Sequence, residues 1–289
     1  MAITLLGHPV AHDIQEKIRH RIEFLRKNTQ RVPGLAVILV GENPASQAYV
    51  GMKKKACAAV GITSFEHLLP STATEIELES LIHSLNQDPS VNGILLQLPL
   101  PKGLNEASLL QRISPDKDVD GFHPLHIGNL LLGLPSLKPC TPYGVCELLK
   151  YYNIPTQGKH VVVLGRSNIV GKPLAAMLIQ REFNATVTIC HSHTENLAEI
   201  TQQGDILISA IGKPHFVTED MVKDRAIVID VGINRVPATP GPGFILVGDV
   251  DYDSVEPKVS AITPVPKGVG PMTIAMLMKN TLTAFEETL

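Results

Sequence analysis

Tyr49 and Lys53 stand four residues apart in a stretch that reads as helix, so they share one face and set a stackable ring beside an ammonium. A lysine there serves as an acid or base when partial burial or a polar partner adjusts its proton affinity; without either, Lys53-Lys54-Lys55 reads equally well as a solvated basic face. Gln97 follows the apolar run Gly93-Ile-Leu-Leu96, and Asp120 lies in Lys117-Asp118-Val119-Asp120-Gly121-Phe122. Both fall just past the ends of elements, on the side where an open parallel sheet binds ligands. Each alone is also an ordinary turn or cap residue. Together the ring, amide, cation and carboxylate suit a flat, amide-rich heterocycle.

A second pattern is His160-Val-Val-Val-Leu-Gly165-Arg166-Ser167-Asn168-Ile169-Val170-Gly171-Lys172-Pro173. An apolar strand ends at a glycine, a polar loop reaches another glycine, and Pro173 falls where a first helical turn tolerates proline. Free amides and the helix dipole at such a turn suit the pyrophosphate of a dinucleotide. Ser167 stands in place of the middle glycine of the usual fingerprint, so a plain strand-turn-helix also accounts for the segment. The next strand ends Cys190-His191-Ser192, with no carboxylate to repel a 2′-phosphate, and Arg166 offers a countercharge; this points to NADP rather than NAD.

Other chemistries find little support. His123-Pro-Leu-His126 and His191-Ser-His193 lack a third ligand at metal-site spacing, and no G-x-S-x-G or Cys and His signature is present, so no metal and no covalent acyl intermediate are expected. With 25 Lys plus Arg against 28 Asp plus Glu and a net charge of -3, neither nucleic acid nor membrane is an expected partner. No apolar run is longer than that from Leu35 to Val40, which is far too short to span a bilayer, and the N-terminus lacks the basic region of a signal peptide. Four scattered cysteines with no C-x-x-C fit a reduced, cytoplasmic chain.

The elements that must position these residues follow from periodicity. A length of 289 residues favours two domains. The spacing predicts a helix over Val10 to Leu25, a buried strand over Leu35 to Val40, a helix capped by Ser46 and ending before Gly61, a short strand from Ile62, a helix over Thr74 to Asn86 and a strand over Val91 to Leu96. The change of domain falls in the proline- and glycine-rich stretch from Pro99 to Pro142, and a helix then runs to Tyr152. Strands at His160–Gly165, Ala185–Ser192, Asp205–Gly212 and Ala226–Ile233, with helices at Lys172–Phe183 and Thr194–Gln203, predict a doubly wound parallel sheet. A terminal helix covers Pro271 to Thr288. The fold class is thus α/β, with two α/β domains, the second a doubly wound, Rossmann-like parallel sheet.

These segments resemble the bifunctional methylenetetrahydrofolate dehydrogenase/cyclohydrolase family along essentially the whole chain. The resemblance rests on Val40-Gly41-Glu42-Asn43-Pro44-Ala45-Ser46 with Tyr49 and Lys53, on Gln97-Leu98-Pro99-Leu100-Pro101, and on the segment from Lys117 to Phe122. It continues through Pro139-Cys140-Thr141-Pro142, Gly165 to Pro173, Asp230-Val231-Gly232-Ile233-Asn234 and Gly268-Val269-Gly270-Pro271-Met272-Thr273. It implies a folate-binding catalytic domain over residues 1–140, completed by helix 271–289, and an NADP-binding domain over residues 141–270, with the reaction centre in the cleft between them. It implies oxidation of 5,10-methylene-tetrahydrofolate with NADP, then hydrolysis to 10-formyl-tetrahydrofolate, by a homodimer. Lys53 is then the central catalytic residue, Gln97 its tuner, Tyr49 a stacking partner of the folate and Asp120 the holder of the pterin edge. Gly165, Arg166, Ser167, Ser192 and Ile233 contact the cofactor, and Thr141 and Thr273 lie near the nicotinamide.

Some positions depart from the family pattern. Lys267 replaces a glycine in the loop Pro264-Val-Pro-Lys267-Gly268, where a positive φ would be strained. His193 and Glu195 replace basic residues that favour NADP, and His126 replaces a common asparagine near the folate motif. A dehydrogenase lacking the hydrolytic step, or a non-catalytic nucleotide-binding regulator, are the rival readings; the intact Tyr49, Lys53, Gln97 and Asp120 set argues against both.

Overall fold

The computed structural model describes residues 2–238, 241 and 243–289. In chain order the elements are β1 (Ile3–Thr4), α1 (Gly7–Thr29), β2 (Gly34–Val40), α2 (Pro44–Val60), β3 (Thr63–Leu69), α3 (Glu75–Gln87) and β4 (Gly93–Leu96). Then come α4 (Glu106–Arg112), α5 (Pro124–Leu132), α6 (Cys140–Tyr151), β5 (His160–Leu164), α7 (Gly171–Leu178), β6 (Thr186–Cys190), α8 (Leu197–Thr201) and β7 (Ile206–Ser209). The chain closes with β8 (Ile227–Asp230), β9 (Asn234–Pro237), β10 (Phe244–Val247), α9 (Tyr252–Val255), β11 (Ala261–Ile262) and α10 (Gly270–Glu286). No helix among the described residues is long and apolar enough to cross a membrane.

Two compact units result. One comprises His12–Cys140 with Ile274–Leu289, the other residues 2–11 with Thr141–Thr273. Residues 2–11 therefore belong to a different unit from His12–Cys140, whereas the resemblance implies one domain over residues 1–140. The reason is local: β1 pairs in parallel with β11, and the Tyr152 hydroxyl both donates to the Leu6 carbonyl (2.9 Å) and accepts from the Leu6 amide (3.0 Å).

The first of these units is built on a parallel sheet of order β3-β2-β4. Strand β2 is buried along its whole length, as an all-apolar Gly-Leu-Ala-Val-Ile-Leu-Val run requires when both faces are covered. Ala36, Ile38, Val40, Ile94 and Leu96 join Leu78, Ile82 and Leu85 of α3 and Leu109 of α4 in one apolar cluster. Helix α3 opens with a reciprocal capping box between Thr74 and Glu77. The cap of α2 lies three residues before the expected one: Asn43 accepts from the Ala45 and Ser46 amides, with Pro44 in the first turn, while Ser46 is buried inside the helix.

The second unit holds the parallel sheet β1-β11-β8-β7-β5-β6. From β5 the chain runs to β6 on one side and then to β7 on the other, which puts a topological switch point between β5 and β7 at their C-terminal ends. Val162, Leu164, Leu207, Val228 and Ile262 supply the core of this sheet. Helices α7 and α8 are shorter than expected; residues after Leu178 and before Leu197 turn away instead of continuing the helix. The antiparallel β9-β10 ribbon was not expected, nor were the two-residue strands β1 and β11.

Lys267 adopts φ +88°, and its carbonyl accepts the Gly7 amide at 2.9 Å. A lysine Cβ in this left-handed region crowds its own backbone, whereas glycine does not, although glycine loses more freedom on folding. Lys267→Gly should stabilise the protein by up to about 1 kcal/mol, and Lys267→Val, with a branched Cβ, should destabilise it by at least about 1 kcal/mol. Urea midpoints should fall in the order Gly, Lys, Val; the reverse order would show that the position is not strained.

Candidate active site

Within the first unit, the three-stranded sheet repeats the geometry of the larger one on a small scale. The chain goes from β2 to β3 on one side and then to β4 on the other, so the ends of β2 and β4 flank a switch point. Gln97 leaves β4 there, its amide bonded to the Ile38 carbonyl of β2 at 2.9 Å. Helix α2, which follows β2, carries Lys53 on its third turn, and the Lys53 ammonium donates to Gln97 Oε1 at 2.8 Å. Gln97 Nε2 donates to the Leu98 carbonyl at 2.7 Å, so the amide oxygen is the end that faces the lysine.

Lys53 is half-buried, unlike its exposed neighbours Lys54 and Lys55, and Lys54 pairs instead with Glu66 at 2.7 Å. Burial lowers the proton affinity of Lys53, and the charge of Asp120 partly restores it. Asp120 responds in turn: burial raises its carboxyl to about 6, the Lys53 charge pulls it down, and Asp118 pushes it up again. The structure therefore brings Lys53, Gln97 and Asp120 into one electrostatic group. Tyr49 is half-buried one turn earlier on α2.

Three residues that were not singled out complete the group. Asp118 is buried; its carboxylate accepts the His123 amide at 2.6 Å and its main-chain carbonyl accepts the Gly121 amide at 3.0 Å, which closes the turn carrying Asp120. Burial raises the Asp118 carboxyl to about 6 as well. Cys140 is buried in hydrogen-bond contact with Asp120 and donates to the Val119 carbonyl at 3.3 Å; desolvation lifts its thiol well above the usual range. Asn280 on α10 donates its amide to the carbonyls of Val119 and Lys138, each at 2.8 Å. Gly121, at φ +74°, makes the approach possible, since a Cβ there would stand 2.6 Å from the Lys138 carbonyl carbon. Asn280 was detectable: it continues the four-residue spacing of buried Met276 and Ala284 with a polar side chain. Next to this turn, His126 faces inward, its Nε2 bonded to the Pro115 carbonyl at 2.8 Å, so it ties α5 to the preceding loop.

In the other unit, Gly165 ends β5 at φ +116°, and a Cβ on it would lie 2.3 Å from the Ala210 carbonyl oxygen at the end of β7. Gly171 begins α7, where a Cβ would lie 2.0 Å from the Gly165 oxygen. The turn between them is thus as tight as a backbone cradle for phosphate requires. The Ser167 hydroxyl accepts the Val170 and Gly171 amides at 3.1 and 3.3 Å and caps α7, the work a middle glycine cannot do. Arg166 and Ser192 are exposed at the same edge of the sheet, and Ile233 is 42% exposed just after β8. Thr141 and Thr273 share a hydrogen bond of 3.0 Å. His191 and His193 pack edge to face, and no metal-holding cluster exists among the described residues.

Two family models cover most of the chain. Residues 5–120 match the tetrahydrofolate dehydrogenase/cyclohydrolase catalytic domain and residues 139–289 its NAD(P)-binding domain. The chain belongs to the tetrahydrofolate dehydrogenase/cyclohydrolase family. Among its family relatives, the bifunctional protein FolD of Chlamydia felis is 52% identical over 289 residues, covering 99% of each chain. The crystal structure of the bifunctional FolD methylenetetrahydrofolate dehydrogenase/cyclohydrolase of Campylobacter jejuni superposes with a TM-score of 0.95 at 48% identity, covering 100% of both chains. That of the Trypanosoma brucei enzyme, complexed with NADP cofactor and an inhibitor, gives 0.94 at 40% identity and covers 99% of this chain and 98% of that one. The residues of this family member fit a bound dinucleotide on the structure's own terms, because both glycines of the β5–α7 turn lie where a Cβ would clash.

The raised Asp120 carboxyl has a measurable consequence. Its folded value of about 6 exceeds the ordinary 3.8, so the stability it contributes is complete below about pH 4 and is lost as the pH rises through about 6. Asp120→Asn removes this titration. Relative to wild type, the variant should gain on the order of 2 kcal/mol between about pH 4 and pH 7, allowing for partial solvent access. Urea unfolding at both pH values measures the difference; a pH-independent gap between the two proteins contradicts it.

Proposed function

We infer that this chain oxidises 5,10-methylene-tetrahydrofolate to 5,10-methenyl-tetrahydrofolate with NADP and hydrolyses the methenyl product to 10-formyl-tetrahydrofolate. The observation that carries the reading is the half-buried Lys53, held at 2.8 Å by Gln97 in the field of Asp120. A solvated basic face has no such partners.

The chemistry follows from that lysine. Bound NADP supplies the hydride acceptor, and Gly165, Arg166, Ser167, Ser192 and Ile233 hold it, with Thr141 and Thr273 near its nicotinamide. Oxidation asks the protein for orientation rather than proton transfer: Tyr49 stacks on the folate and Asp120 binds the pterin edge. The product is an amidinium cation, and a full ammonium beside it would oppose its formation. A lysine with lowered proton affinity reduces that repulsion.

Hydrolysis then uses the same amine as a base. Water adds to the amidinium carbon, and one of its protons passes to neutral Lys53 and from there to N5 as the carbon–N5 bond breaks. The second proton leaves to solvent as the formyl carbonyl forms. Gln97 keeps the amine aimed throughout. This dependence on Lys53 and Gln97 favours the bifunctional enzyme over one limited to oxidation. The working form in this reading is a cytoplasmic homodimer, in keeping with four free cysteines.

An absorbance assay that follows reduced cofactor and methenyl product separately, with NADP or NAD, tests the whole reading. Lys53→Met keeps chain length and removes the amine, so hydrolysis should fall at least about a hundredfold in a folded protein; wild-type hydrolysis would refute the catalytic role.

Cofactor choice is tested separately. Arg166 and Ser192 offer a guanidinium and a hydroxyl to the 2′-phosphate, charge-assisted bonds of about 1.5 to 3 kcal/mol, or roughly ten- to a hundredfold in affinity. His193 and Glu195 keep the preference near the lower figure. Arg166→Ala should abolish most discrimination in kcat/KM, and Ser192→Asp should shift it toward NAD by repulsion. A wild-type preference for NAD, or a ratio neither change alters, contradicts this assignment.

A further inference from the structure

Asp249 follows the β9-β10 ribbon and is completely buried, yet it takes no part in the chemistry above. Its carboxylate is saturated with donors. Oδ2 accepts the amides of Ile211 (2.8 Å) and Gly212 (3.2 Å) and the Ser209 hydroxyl (3.2 Å). Oδ1 accepts the Lys213 amide and the Asn234 side chain, both at 3.0 Å. Three successive amides of the loop after β7 thus point at one internal anion, and that anion also grips the residue next to Ile233.

The contact is built in from both sides. A Cβ at Gly232 would lie 2.2 Å from Asp249 Oδ1, so only glycine lets the segment Gly232-Ile233-Asn234 close on the carboxylate. Asp249 itself is fixed through its own amide, which donates to Asp230 Oδ1 at 3.0 Å at the end of β8. From the β7 loop the arrangement reaches the phosphate turn directly, because Ala210, one residue before Ile211, is the backbone against which Gly165 packs.

We propose that Asp249 is a positioning residue for the dinucleotide: it locks the Ala210–Lys213 loop and Ile233 in the register that gives the β5–α7 turn its phosphate-binding shape. The proposal rests on the NADP reading given above. With the carboxylate in place, the amides of residues 211–213 are already taken, so this loop shapes the site without offering its own amides to a ligand phosphate. Asparagine at this position keeps the shape but has one acceptor oxygen, and its NH2 group must face donors, which releases either the loop or Asn234.

The test is direct titration with NADPH, whose fluorescence reports binding without tryptophan background because the chain has no Trp. The dissociation constant should rise at least tenfold in Asp249→Asn and the KM for NADP should follow, while the KM for the methenyl substrate in hydrolysis, which uses no nucleotide, stays within about twofold. Asn234→Ala combined with Ser209→Ala removes two donors more gently and should raise the NADPH constant several-fold. A folded Asp249→Asn protein with wild-type NADPH affinity overturns the proposal. If that variant does not fold, wild-type affinity in the double variant overturns it equally. A wild type that binds neither NADPH nor NADH would instead overturn the nucleotide reading on which the proposal stands.

Discussion

A lysine ammonium withdrawn from water loses hydration that a single neutral amide only partly replaces, and the burial of Lys53 is arranged around that deficit. Gln97 gives one strong acceptor at 2.8 Å, and Asp120 gives opposite charge, itself weakened by burial and by the neighbouring Asp118. The result is a group whose proton is held loosely. Everything near it serves that balance: Gln97 is aimed by its bond to the Leu98 carbonyl, the Asp120 turn is closed by Asp118, and Asn280 ties that turn to the segment bearing Cys140. Remove the charge of Asp120 and the proton is held more loosely still, because burial remains while the opposite charge that partly restores the affinity is gone.

The same topological device appears in both units. In each, a central strand is followed by neighbours on opposite sides, and the opening at the strand ends carries the polar residues. Strand interiors, from Leu35 to Val40 and from Val161 to Leu164, are wholly apolar and buried, which fixes where each strand ends and hence where its first polar residue emerges. Gln97 and, one residue beyond Gly165, Arg166 are those first polar residues. The precision of the site is therefore inherited from hydrophobic burial several residues away.

Much of this was legible in the chain. The buried strands, the shared Tyr49 and Lys53 face, the strand-glycine-helix turn and the parallel alternation follow from periodicity and residue type, because each depends on local pattern. What escaped depends on distant partners. Strands β1 and β11 have two residues each and exist only through pairing with each other and with β8. The true cap of α2, Asn43, lay three residues before the more conspicuous Ser46, and α7 stops at Leu178 although the apolar pattern runs on. Asp118, Asn280 and Asp249 look like ordinary polar residues in sequence; only folding reveals that their partners are main-chain groups tens or more residues away, or a turn closed on itself.

Buried carboxylates recur as the means of ordering loops here, and the choice has a physical logic. A carboxylate accepts several hydrogen bonds through two oxygens, so one side chain can fix a run of successive amides that a loop would otherwise present to water. Asp249 does this for 211–213 and Asp230 for Gly232, Asp249 and Val250, while Asp118 holds the His123 amide. The associated desolvation is visible in Asp230, whose carboxyl burial lifts to about 7, with the Asp249 charge adding to the rise. The stability that Asp118 and Asp230 hold in this form weakens as the pH climbs from about 4 through 7, since the unfolded chain ionises first. Apolar contacts would be free of that dependence but cannot satisfy loop amides or aim them. The loops beside a ligand need their amides satisfied and their direction set, and a buried anion does both with one residue.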